Sequence, residues 1–176
     1  MPADAALNAL DTDRLVLRRS LEEDARVFRQ LWTERDERVP PHRRIDEAGH
    51  PTTEEIAANL RAKSADTKPG LLTVVRRGFG DVIGYCGVVF DGNGDPDEPE
   101  LAFELLRAVH NRGYATEAGR AVLSWARSAG YRRIWASVWD WNVASRRALE
   151  KLGFTETGVV NKASEHGRSL LTVRTL

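Results

Sequence analysis

Apolar residues recur along the chain with two different spacings, and these spacings predict an α/β fold. The segment DRLVLRRS, residues 13–20, alternates apolar and polar positions as a half-buried strand does. Further strand-like runs are GLLTVVRRG, DVIGYCGVVF, ELAFELL (Glu100–Leu106), RIWASVW, FTETGVV and SLLTVRTL. The RGFGD stretch between the first two of these runs is typical of a hairpin turn. A sheet of about six to seven strands is therefore expected.

Four segments carry helical spacing and recognisable ends. Ser20 and Glu23 form a capping box for a helix that runs to about Trp32, and a second capped helix begins at about Thr53. The other two helices are TEAGRAVLSWARSAG, ended by Gly130, and NVASRRALEKLG, opened by Asn142 and closed by Gly153. The order β, α, α, β, β, β, α, β, α, β, β predicts a mixed central sheet with helices on both faces.

Size and composition fit one domain over residues 1–176, with a loose leader over residues 1–11. A chain of 176 residues suffices for a single α/β core. Its 26 basic residues balance 26 acidic residues, so no overall field draws the protein to nucleic acid or to an anionic membrane. The sequence contains neither the apolar run of a signal peptide nor that of a membrane span. We therefore expect a cytoplasmic protein without a membrane or nucleic-acid partner.

No metal site is expected. The single cysteine excludes an internal disulfide framework and a zinc knuckle. The loop DGNGDPDEP alternates Asp91, Asn93 and Asp95 as a calcium loop does, but Pro96 replaces the turn glycine and Ala102 replaces the bidentate glutamate.

The first strand-to-helix junction has the composition of either a plain turn or an anion site. RAVHNRG separates a strand that ends near Leu106 from a helix that begins near Tyr114. A helix start exposes N–H groups without internal partners and a partial positive charge, which suit a phosphate group. Gly113 would let the backbone approach such a ligand, and Arg112 would add a full charge. The segment is neither a P-loop nor a three-glycine dinucleotide fingerprint, so both interpretations stay open.

The second junction, VWDWNVASRRALEKLGF, follows roughly thirty residues later on a neighbouring strand. Asn142 can cap the helix, and Ser145 and Leu149 fall close to the same helix face. The two junctions together favour a ligand site over two unrelated turns.

With these residues in place, the chain resembles the GNAT acyltransferases, which use acetyl-coenzyme A. Their pyrophosphate loop reads Gln or Arg, two residues, Gly, one residue, then Gly or Ala, and HNRGYA is similar with His110 in the first position. The branch that acetylates ribosomal-protein N-termini looks closer still, through TDRLVLRRSLEEDA, ELAFELL, GYATEA and NVASRRALEKLGF. The resemblance covers residues from about Thr12 to the C-terminus. It implies the GNAT fold, acetyl-coenzyme A (acetyl-CoA) as cosubstrate and acetyl transfer to a primary amine.

The resemblance also implies positions for the cosubstrate. The backbone of Leu105 and Leu106 would pair with the pantetheine arm, and Asn142 would bond that arm or reach the acetyl end. Main-chain N–H groups would surround the pyrophosphate at His110, Asn111, Arg112, Gly113, Tyr114, Ala115 and Thr116. His110 stands where the family has Gln or Arg, and Asn111 stands where Gly is common. The loop tolerates both because backbone amides do most of the binding.

Three side chains are candidates for the proton transfers. In the close branch a serine at the position of Ser145 is thought to protonate or orient the departing thiolate; the alternative is a hydroxyl bonded to its own helix backbone. Glu100 and Glu104 share one face of a strand, and either could take the amine proton directly or through water. For Glu100 the alternative is solvation at a strand edge. The resemblance further implies that backbone N–H groups near Leu105 would stabilise the oxyanion.

Leu149 departs from the family pattern, because many members have a tyrosine there as general acid. A catalytically inactive acyl-CoA sensor therefore stays open as a second function.

An RNA-binding module is argued against by the charge balance and by the lack of aromatic and basic interleaving on a strand. The acceptor could be a protein N-terminus or a small amine, and the chain could be a monomer or a homodimer.

Two further groups of residues have two interpretations each. Trp139 or Trp141 could wall the acceptor pocket, or belong to an aromatic core face. Arg43 and Arg44 could attract an acidic acceptor to a lid, or lie in a solvated loop.

Overall fold

The computed structural model describes residues 5–90 and 94–176, which form a mixed sheet with helices on both faces. The strands are β1 (Ala9–Asp11), β2 (Leu15–Arg18), β3 (Leu71–Arg76), β4 (Val82–Val89), β5 (Glu100–Leu105), β6 (Arg133–Trp139), β7 (Thr155–Ser164) and β8 (Gly167–Thr175). The helices are α1 (Ala25–Glu34), α2 (Thr53–Lys63), α3 (Tyr114–Ser128) and α4 (Val143–Lys151). Asp91 and Asn93 of the calcium-like loop lie outside the described residues.

The described strands make one sheet of eight in the order β1-β2-β3-β4-β5-β6-β8-β7. Neighbours are antiparallel except for β5 and β6, which are parallel. Parallel neighbours need a crossover connection, and α3 supplies it. The predicted α/β class and the helices on both faces are confirmed. The strand count exceeds the predicted six to seven because β1 was not expected.

The prediction of a loose leader does not hold for the residues just before β2. Residues Ala9 to Asp11 pair antiparallel with β2, and Leu7 is only 1% exposed in the core. A strand of three residues is too short for an alternation pattern to indicate it, since its existence depends on the neighbouring β2.

The predicted capping box at Ser20 and Glu23 is wrong by one position. The carboxylate of Asp24 accepts the N–H of Leu21 at 2.8 Å, while Ser20 Oγ lies 2.9 Å from Thr73 Oγ1. A short 3₁₀ turn precedes α1, so the helix itself begins later than predicted. The tertiary partner on β3 draws the serine away from the helix end.

The other predicted helix caps are confirmed. Thr52 accepts the N–H of Glu55 at 3.2 Å and the Glu55 carboxylate accepts the N–H of Thr52 at 2.7 Å, which is a capping box at the start of α2. Asn142 caps α4 by accepting the N–H of Ser145 at 3.1 Å. Gly153 follows α4 with a φ of +83°.

The core is largest between the sheet and the α3–α4 layer. Leucines, valines and isoleucines of β2 to β6 pack there with buried residues of both helices. A Cβ on Gly119 of α3 would lie 2.6 Å from Leu152 Cδ1, so a glycine is what allows the two helices to approach. On the other face, the ring of Phe28 in α1 packs edge-on against Tyr85 of β4. Burial raises the pKa of Cys86 to about 12, so this thiol is inert in the core.

Candidate active site

Strands β5 and β6 are hydrogen-bonded at one end and separate at the other. Within the described strands a single register pair, Glu100 with Trp135, joins them, and Trp135 N–H donates to Pro99 C=O at 3.0 Å. Both strands continue beyond this pair, to Leu105 and to Trp139. The sheet therefore opens into a wedge at the carboxyl ends of its two parallel strands, where ligands of open α/β sheets commonly bind.

The side of β5 that faces the wedge carries backbone groups that can bind a ligand. Leu106 N–H donates to Ile83 C=O in β4 at 2.9 Å. Because backbone direction alternates along a strand, Phe103 and Leu105 turn their N–H groups to the wedge instead. An extended chain with amide groups can bond to such an edge as an added strand would. The predicted residue Leu105 thus has an N–H on the wedge, whereas Leu106 directs its N–H to β4.

A cleft of about 1420 Å³ occupies the wedge. Its walls come from β5, β6, the loop before α3, one face of α4 along its length and the segment that follows α1. The predicted site residues that line it are Glu100, Glu104, Leu105, His110, Asn111, Gly113, Tyr114, Ala115, Thr116, Asn142 and Ser145. Leu106 and Arg112 are adjacent to this lining but not part of it.

The loop before α3 brings an uncapped helix N-terminus to the cleft. Asn111 and Gly113 take positive φ values of 60° and 80°, which turn the chain into the helix. The first intrahelical bond runs from Glu117 N–H to Gly113 C=O at 3.0 Å, and no side chain caps the helix. The amides of residues 114–116 therefore have no acceptor within the helix. Together with the helix dipole they make a site suited to a phosphate group.

A brace from the N-terminal strands holds this helix start. Glu117 in the first turn accepts from Thr12 Oγ1 at 2.6 Å and from Arg14 Nε at 2.6 Å, and Arg14 Nη1 donates to Arg112 C=O at 3.0 Å. Partial burial would raise the pKa of Glu117, but the hydrogen bonds from Thr12 and Arg14 lower it on balance. The charge of Arg14 thus offsets a carboxylate next to the anion site. Arg14 also lies over the ring of Tyr114, which is only 8% exposed and packs in the core.

His110 makes a contact that the family pattern does not indicate. Its Nε2 lies 2.8 Å from Leu105 C=O. A carbonyl only accepts hydrogen bonds, so Nε2 carries the proton in this contact. The imidazole therefore ties the loop back to the last residue of β5.

The start of α4 forms the opposite wall. Asn142 N–H donates to Trp139 C=O at 2.9 Å, and its side-chain oxygen is occupied by the cap on Ser145 N–H. Ser145 is half-buried and lines the cleft. Leu149, one turn further on, is 3% exposed and presents a side chain that has no proton to give.

Arg35, in the segment after α1, clamps Glu104. Its Nε and Nη2 donate to the two carboxylate oxygens at 3.0 and 2.8 Å, and Tyr85 OH donates to the same carboxylate at 2.8 Å. Arg35 Nη1 also donates to Arg43 C=O at 2.7 Å, and the guanidinium stacks on the ring of Trp32. Burial would lower the pKa of Arg35, but Glu104 raises it on balance; burial and the Glu104 charge raise the pKa of Tyr85. The Glu104 carboxylate is thus held by three donors.

Glu100 sits at the closed end of the wedge and is 4% exposed, which excludes strand-edge solvation. Its Oε2 lies 3.3 Å from Ser137 Oγ on β6. Ser137 Oγ in turn accepts from Asn161 Nδ2 on β7 at 3.1 Å. The buried carboxylate is therefore connected across the two parallel strands.

The tryptophans and arginines divide between the cleft and other surroundings. Trp139 and Trp141 stack with ring centroids 6.2 Å apart and line the cleft. Trp135 instead donates to Glu98 at 2.8 Å, away from the lining. Arg43 lines the cleft while Arg44 does not. The pocket-wall interpretation is therefore favoured for the two stacked tryptophans.

Four cleft residues were not indicated by the sequence: Arg35, Tyr85, Ser137 and Asn161. The partners are far apart in the chain, 69 positions for Arg35 and Glu104 and 24 positions for Ser137 and Asn161. No local spacing links such pairs. The only available signal was the acidic Glu104 in an otherwise apolar strand, because a carboxylate in that setting needs a cationic or hydrogen-bonding partner.

A protein-family comparison decides what this fold is. The model of the acetyltransferase (GNAT) domain matches residues 14–155. The chain belongs to the GNAT acetyltransferase family. The matched range contains both strand-to-helix junctions of the wedge in this GNAT protein. Members of the family use acetyl-CoA as acyl donor.

Individual relatives agree with this family. The chain is 25% identical to the uncharacterized N-acetyltransferase p20 of Bacillus licheniformis over 161 residues, which cover 88% of this chain and 86% of the relative. A Bordetella pertussis protein assigned to the GNAT family is 29% identical in sequence, with a TM-score of 0.73 over 96% of this chain and 99% of that one.

Two more distant structures share the fold. One is the ribosomal-protein-S5-alanine acetyltransferase of Vibrio fischeri, with a TM-score of 0.63 at 15% identity over 95% of this chain and 96% of that one. The other is the spermidine N-acetyltransferase of Vibrio cholerae, with a TM-score of 0.70 at 15% identity over 93% of this chain and 95% of that one.

Within its described residues the GNAT protein has neither a group of metal-ligating side chains nor a membrane-spanning helix. Across residues 5–90 and 94–176, no three His, Cys, Asp or Glu side chains are grouped as metal ligands. In the same ranges no helix is both long and apolar enough to cross a membrane.

Proposed function

We propose that this protein is an acetyl-CoA-dependent N-acetyltransferase that moves the acetyl group to a primary amine by direct attack in a ternary complex. The observation that carries the proposal is the wedge between β5 and β6. It joins an open strand edge to an uncapped helix N-terminus within one cleft. A cosubstrate with an amide-containing arm and a pyrophosphate fits both features.

Residues of the wedge are assigned to the donor as follows. The backbone from His110 to Thr116 binds the pyrophosphate, with the free amides of residues 114–116 as its donors. The wedge-facing C=O of Leu105 pairs with the pantetheine arm through the lone pair that His110 leaves open, and its N–H stabilises the oxyanion. Leu106 supports this strand through its bond to β4. The Asn142 amide bonds the arm or reaches the acetyl end.

Acetyl transfer forms an N–C bond, breaks a C–S bond, takes one proton from the amine and gives one to the thiolate sulfur. We assign the base to Glu100, because Glu104 already accepts from Arg35 and Tyr85. Glu104 then holds Arg35, and with it the segment after α1, against β5. Ser145, half-buried in the cleft, protonates or orients the thiolate. A thiol with a pKa of about 8.5 leaves readily, so a weak acid suffices.

An α-amine is the acceptor that this site would acetylate with least help. Deprotonation at pH 7 costs about 1 kcal/mol for an α-amine and about 4.6 kcal/mol for a lysine side chain. The resemblance to the ribosomal-protein branch also favours a protein N-terminus. The two distant structures are named for a ribosomal protein and for spermidine, so a small amine is the alternative within the same reaction.

An acceptor screen tests the proposal. The full chain is mixed with acetyl-CoA and a panel of peptides with free N-termini, amino acids and polyamines, and released thiol is followed. Mass spectrometry then locates the added acetyl group on each product. We expect release with at least one α-amine acceptor, and an acetyl group on its nitrogen. Failure of acetyl-CoA to bind the unmodified protein would overturn the whole assignment.

A non-catalytic acyl-CoA sensor is the second candidate, and one observation favours it. Leu149 puts a buried hydrocarbon side chain in the cleft where many family members have a tyrosine. Tight binding of acetyl-CoA without thiol release on any acceptor in the panel would select the sensor.

The cytoplasmic location and the monomeric or homodimeric state stay predictions, which cell fractionation and light scattering test.

A further inference from the structure

Two polar side chains in the cleft have no part in the reaction as assigned so far. Ser137 lies on β6 and Asn161 on β7, and both line the cleft. Asn161 Nδ2 is 3.1 Å from Ser137 Oγ, and Ser137 Oγ is 3.3 Å from Glu100 Oε2. The three residues form one chain of hydrogen bonds that runs from an edge strand to the closed end of the wedge.

The chemistry of the three groups gives this chain a direction. An amide nitrogen only donates, so Ser137 Oγ accepts from Asn161. A carboxylate only accepts when ionised, so the one hydroxyl proton of Ser137 goes to Glu100. The bond from Asn161 therefore orients the Ser137 hydroxyl so that its proton points to Glu100, and the bond from Ser137 holds one carboxylate oxygen of Glu100 in place.

The series of hydrogen bonds from Asn161 to Glu100 lies at the point where β5 and β6 separate. Glu100 forms the last register pair of the two strands with Trp135, and Ser137 stands two residues further along β6. The contact between Glu100 and Ser137 thus bridges the strands at the point where their backbone pairing ends. A carboxylate that is 4% exposed needs donors to keep one orientation there.

We propose that Ser137 and Asn161 are positioning residues that orient the Glu100 carboxylate toward the acceptor amine. This inference rests on the proposed function, in which Glu100 is the base. Neither residue touches the reacting atoms. They act through the hydrogen bond that Ser137 donates to the ionised carboxylate, which favours the form that can take a proton from the acceptor.

Other groups that line the same cleft also set its electrostatics, and a test must leave them unchanged. The titratable and charged side chains of this lining are Glu34, Arg35, Asp36, His42, Arg43, Tyr85, Glu104, Arg107, His110, Tyr114, Arg147, Lys151 and Lys162. None of these side chains is replaced in a variant of Ser137 or Asn161. A change in the pH profile therefore reports on the hydrogen bonds that lead from Asn161 through Ser137 to Glu100.

The experiment compares Ser137→Ala, Ser137→Thr and Asn161→Leu with the unmodified enzyme on the acceptor found in the screen. We expect Ser137→Ala to lower kcat about tenfold and to move the acidic limb of kcat/KM up by roughly 0.5–1 pH units. Ser137→Thr keeps the hydroxyl and should restore both. Asn161→Leu should shift the limb in the same direction by less. The KM for acetyl-CoA should not change.

Ser124→Ala is the matched control, because Ser124 is exposed on α3 and lies outside the cleft lining. A loss of rate in Ser137→Ala with an unmoved acidic limb, or the same loss in Ser137→Thr, would overturn the positioning role and leave the proposed function standing. If Ser137→Ala does not fold, the limb of Asn161→Leu decides, since Asn161 lies on the largely exposed edge strand β7. Absence of turnover by the unmodified enzyme overturns the proposed function and this inference with it.

Discussion

Gly113 adopts a φ of +80° at the residue where the loop turns into α3. A side chain in this left-handed region costs roughly 1–2 kcal/mol. A Cβ there would also come within 3.4 Å of Arg14 Nη2, which belongs to the brace of the helix start. Gly80, in the turn between β3 and β4, has a similar φ of +74° with open space around it. The two glycines therefore differ in their surroundings more than in their backbone strain.

We predict that Gly113→Ala weakens acetyl-CoA binding about tenfold while Gly80→Ala leaves it unchanged. The reason is that strain at Gly113 redirects the free amides of residues 114–116. Both variants should lose a similar amount of stability, about 1 kcal/mol, because both force the same backbone region. Calorimetric titration with acetyl-CoA and urea denaturation measure the two quantities. Equal affinity in the two variants would contradict the pyrophosphate assignment.

Ser145 has a role in the acetyltransferase, where it acts on the departing thiolate, but none in a non-catalytic sensor. We predict that Ser145→Ala lowers kcat by about tenfold, less than general acid catalysis usually contributes because coenzyme A is a good leaving group, and leaves the KM for acetyl-CoA unchanged. Steady-state assays with the identified acceptor measure this. Ser128→Ala, at the exposed end of α3, is the control. An unchanged kcat in Ser145→Ala would remove the serine from the mechanism.

Asp24 is a buried carboxylate that connects β2, β3 and the start of α1. It is 2% exposed and accepts from Arg18 at 2.8 and 2.9 Å, from Thr73 at 2.9 Å and from Leu21 N–H at 2.8 Å. Burial alone would raise the pKa of Asp24, but these donors, Arg18 foremost, hold it below the ordinary value of an aspartate. Folding and ionisation of this carboxylate are therefore linked.

We predict that Asp24→Asn destabilises the protein by about 2 kcal/mol at pH 7, because the substitution removes a hydrogen-bonded buried charge. Since the folded pKa of Asp24 is depressed, its stabilisation is complete above the unfolded value and is lost as pH falls through the folded value. The difference between Asp24→Asn and the unmodified chain should therefore shrink below about pH 4. Urea denaturation over a pH series measures it. Glu22→Gln, which alters the exposed pair with Arg61, should show a much smaller effect because solvent screens that pair.

At the scale of elements, residues 35–43, which follow α1, form a strap over the wedge. Arg35 ties it to Glu104 on β5 and to its own Arg43 carbonyl, while Arg38 lies over the ring of Trp141 beyond β6 at 4.3 Å. Two cationic side chains thus connect the strap to the two sides of the cleft. Arg43 is exposed, as the solvated-loop interpretation expects, and Arg44 is half-buried, whereas the side chain of Arg35 at the start of the segment is only 10% exposed.

We predict that Arg35→Lys raises the KM of the acceptor about threefold to tenfold and leaves acetyl-CoA binding unchanged. A lysine keeps the charge but cannot place two donors on the Glu104 carboxylate and a third on the Arg43 carbonyl, as the guanidinium of Arg35 does. Steady-state kinetics with each substrate varied in turn measure the split. Arg61→Lys is the matched control, because Arg61 makes the same two-donor contact with the exposed Glu22. Equal acceptor KM values for the two variants would show that the strap does not contribute to acceptor binding.

The sequence predicted elements better than it predicted contacts between them. Strand and helix order follows from local periodicity, and the ends of α2 and α4 follow from local caps. The box at Ser20 failed because Thr73, on β3, competes for that side chain. The strand β1 was missed because three residues form a strand only when β2 is beside them. The charged clamp on Glu104 and the chain to Glu100 depend on strand register, which no spacing within one segment specifies.

At the scale of the whole molecule, the wedge divides the eight-stranded sheet into two parts. Strands β1 to β5 lie on one side and β6, β8 and β7 on the other, with one backbone register pair between β5 and β6 among the described residues. Further links between the two parts include α3, the hydrogen-bonded series from Glu100 to Asn161, and the bonds from Arg133 and Trp135 to Glu98. A ligand that bonds to both walls of the wedge should therefore stabilise the fold as a whole.

We predict that saturating acetyl-CoA raises the Tm by roughly 5–10 °C, because binding at 100 times Kd adds about 2.7 kcal/mol, and a domain of this size gains about 2–4 °C for each kcal/mol. S-acetylpantetheine has the arm without the pyrophosphate, so it should bind the strand edge but not the start of α3. Its shift at equal concentration should be much smaller. Calorimetric melting with each compound measures both. Equal shifts for the two compounds would mean that the α3 N-terminus contributes no binding energy, and the pyrophosphate assignment would then be wrong even if the arm binds in the wedge.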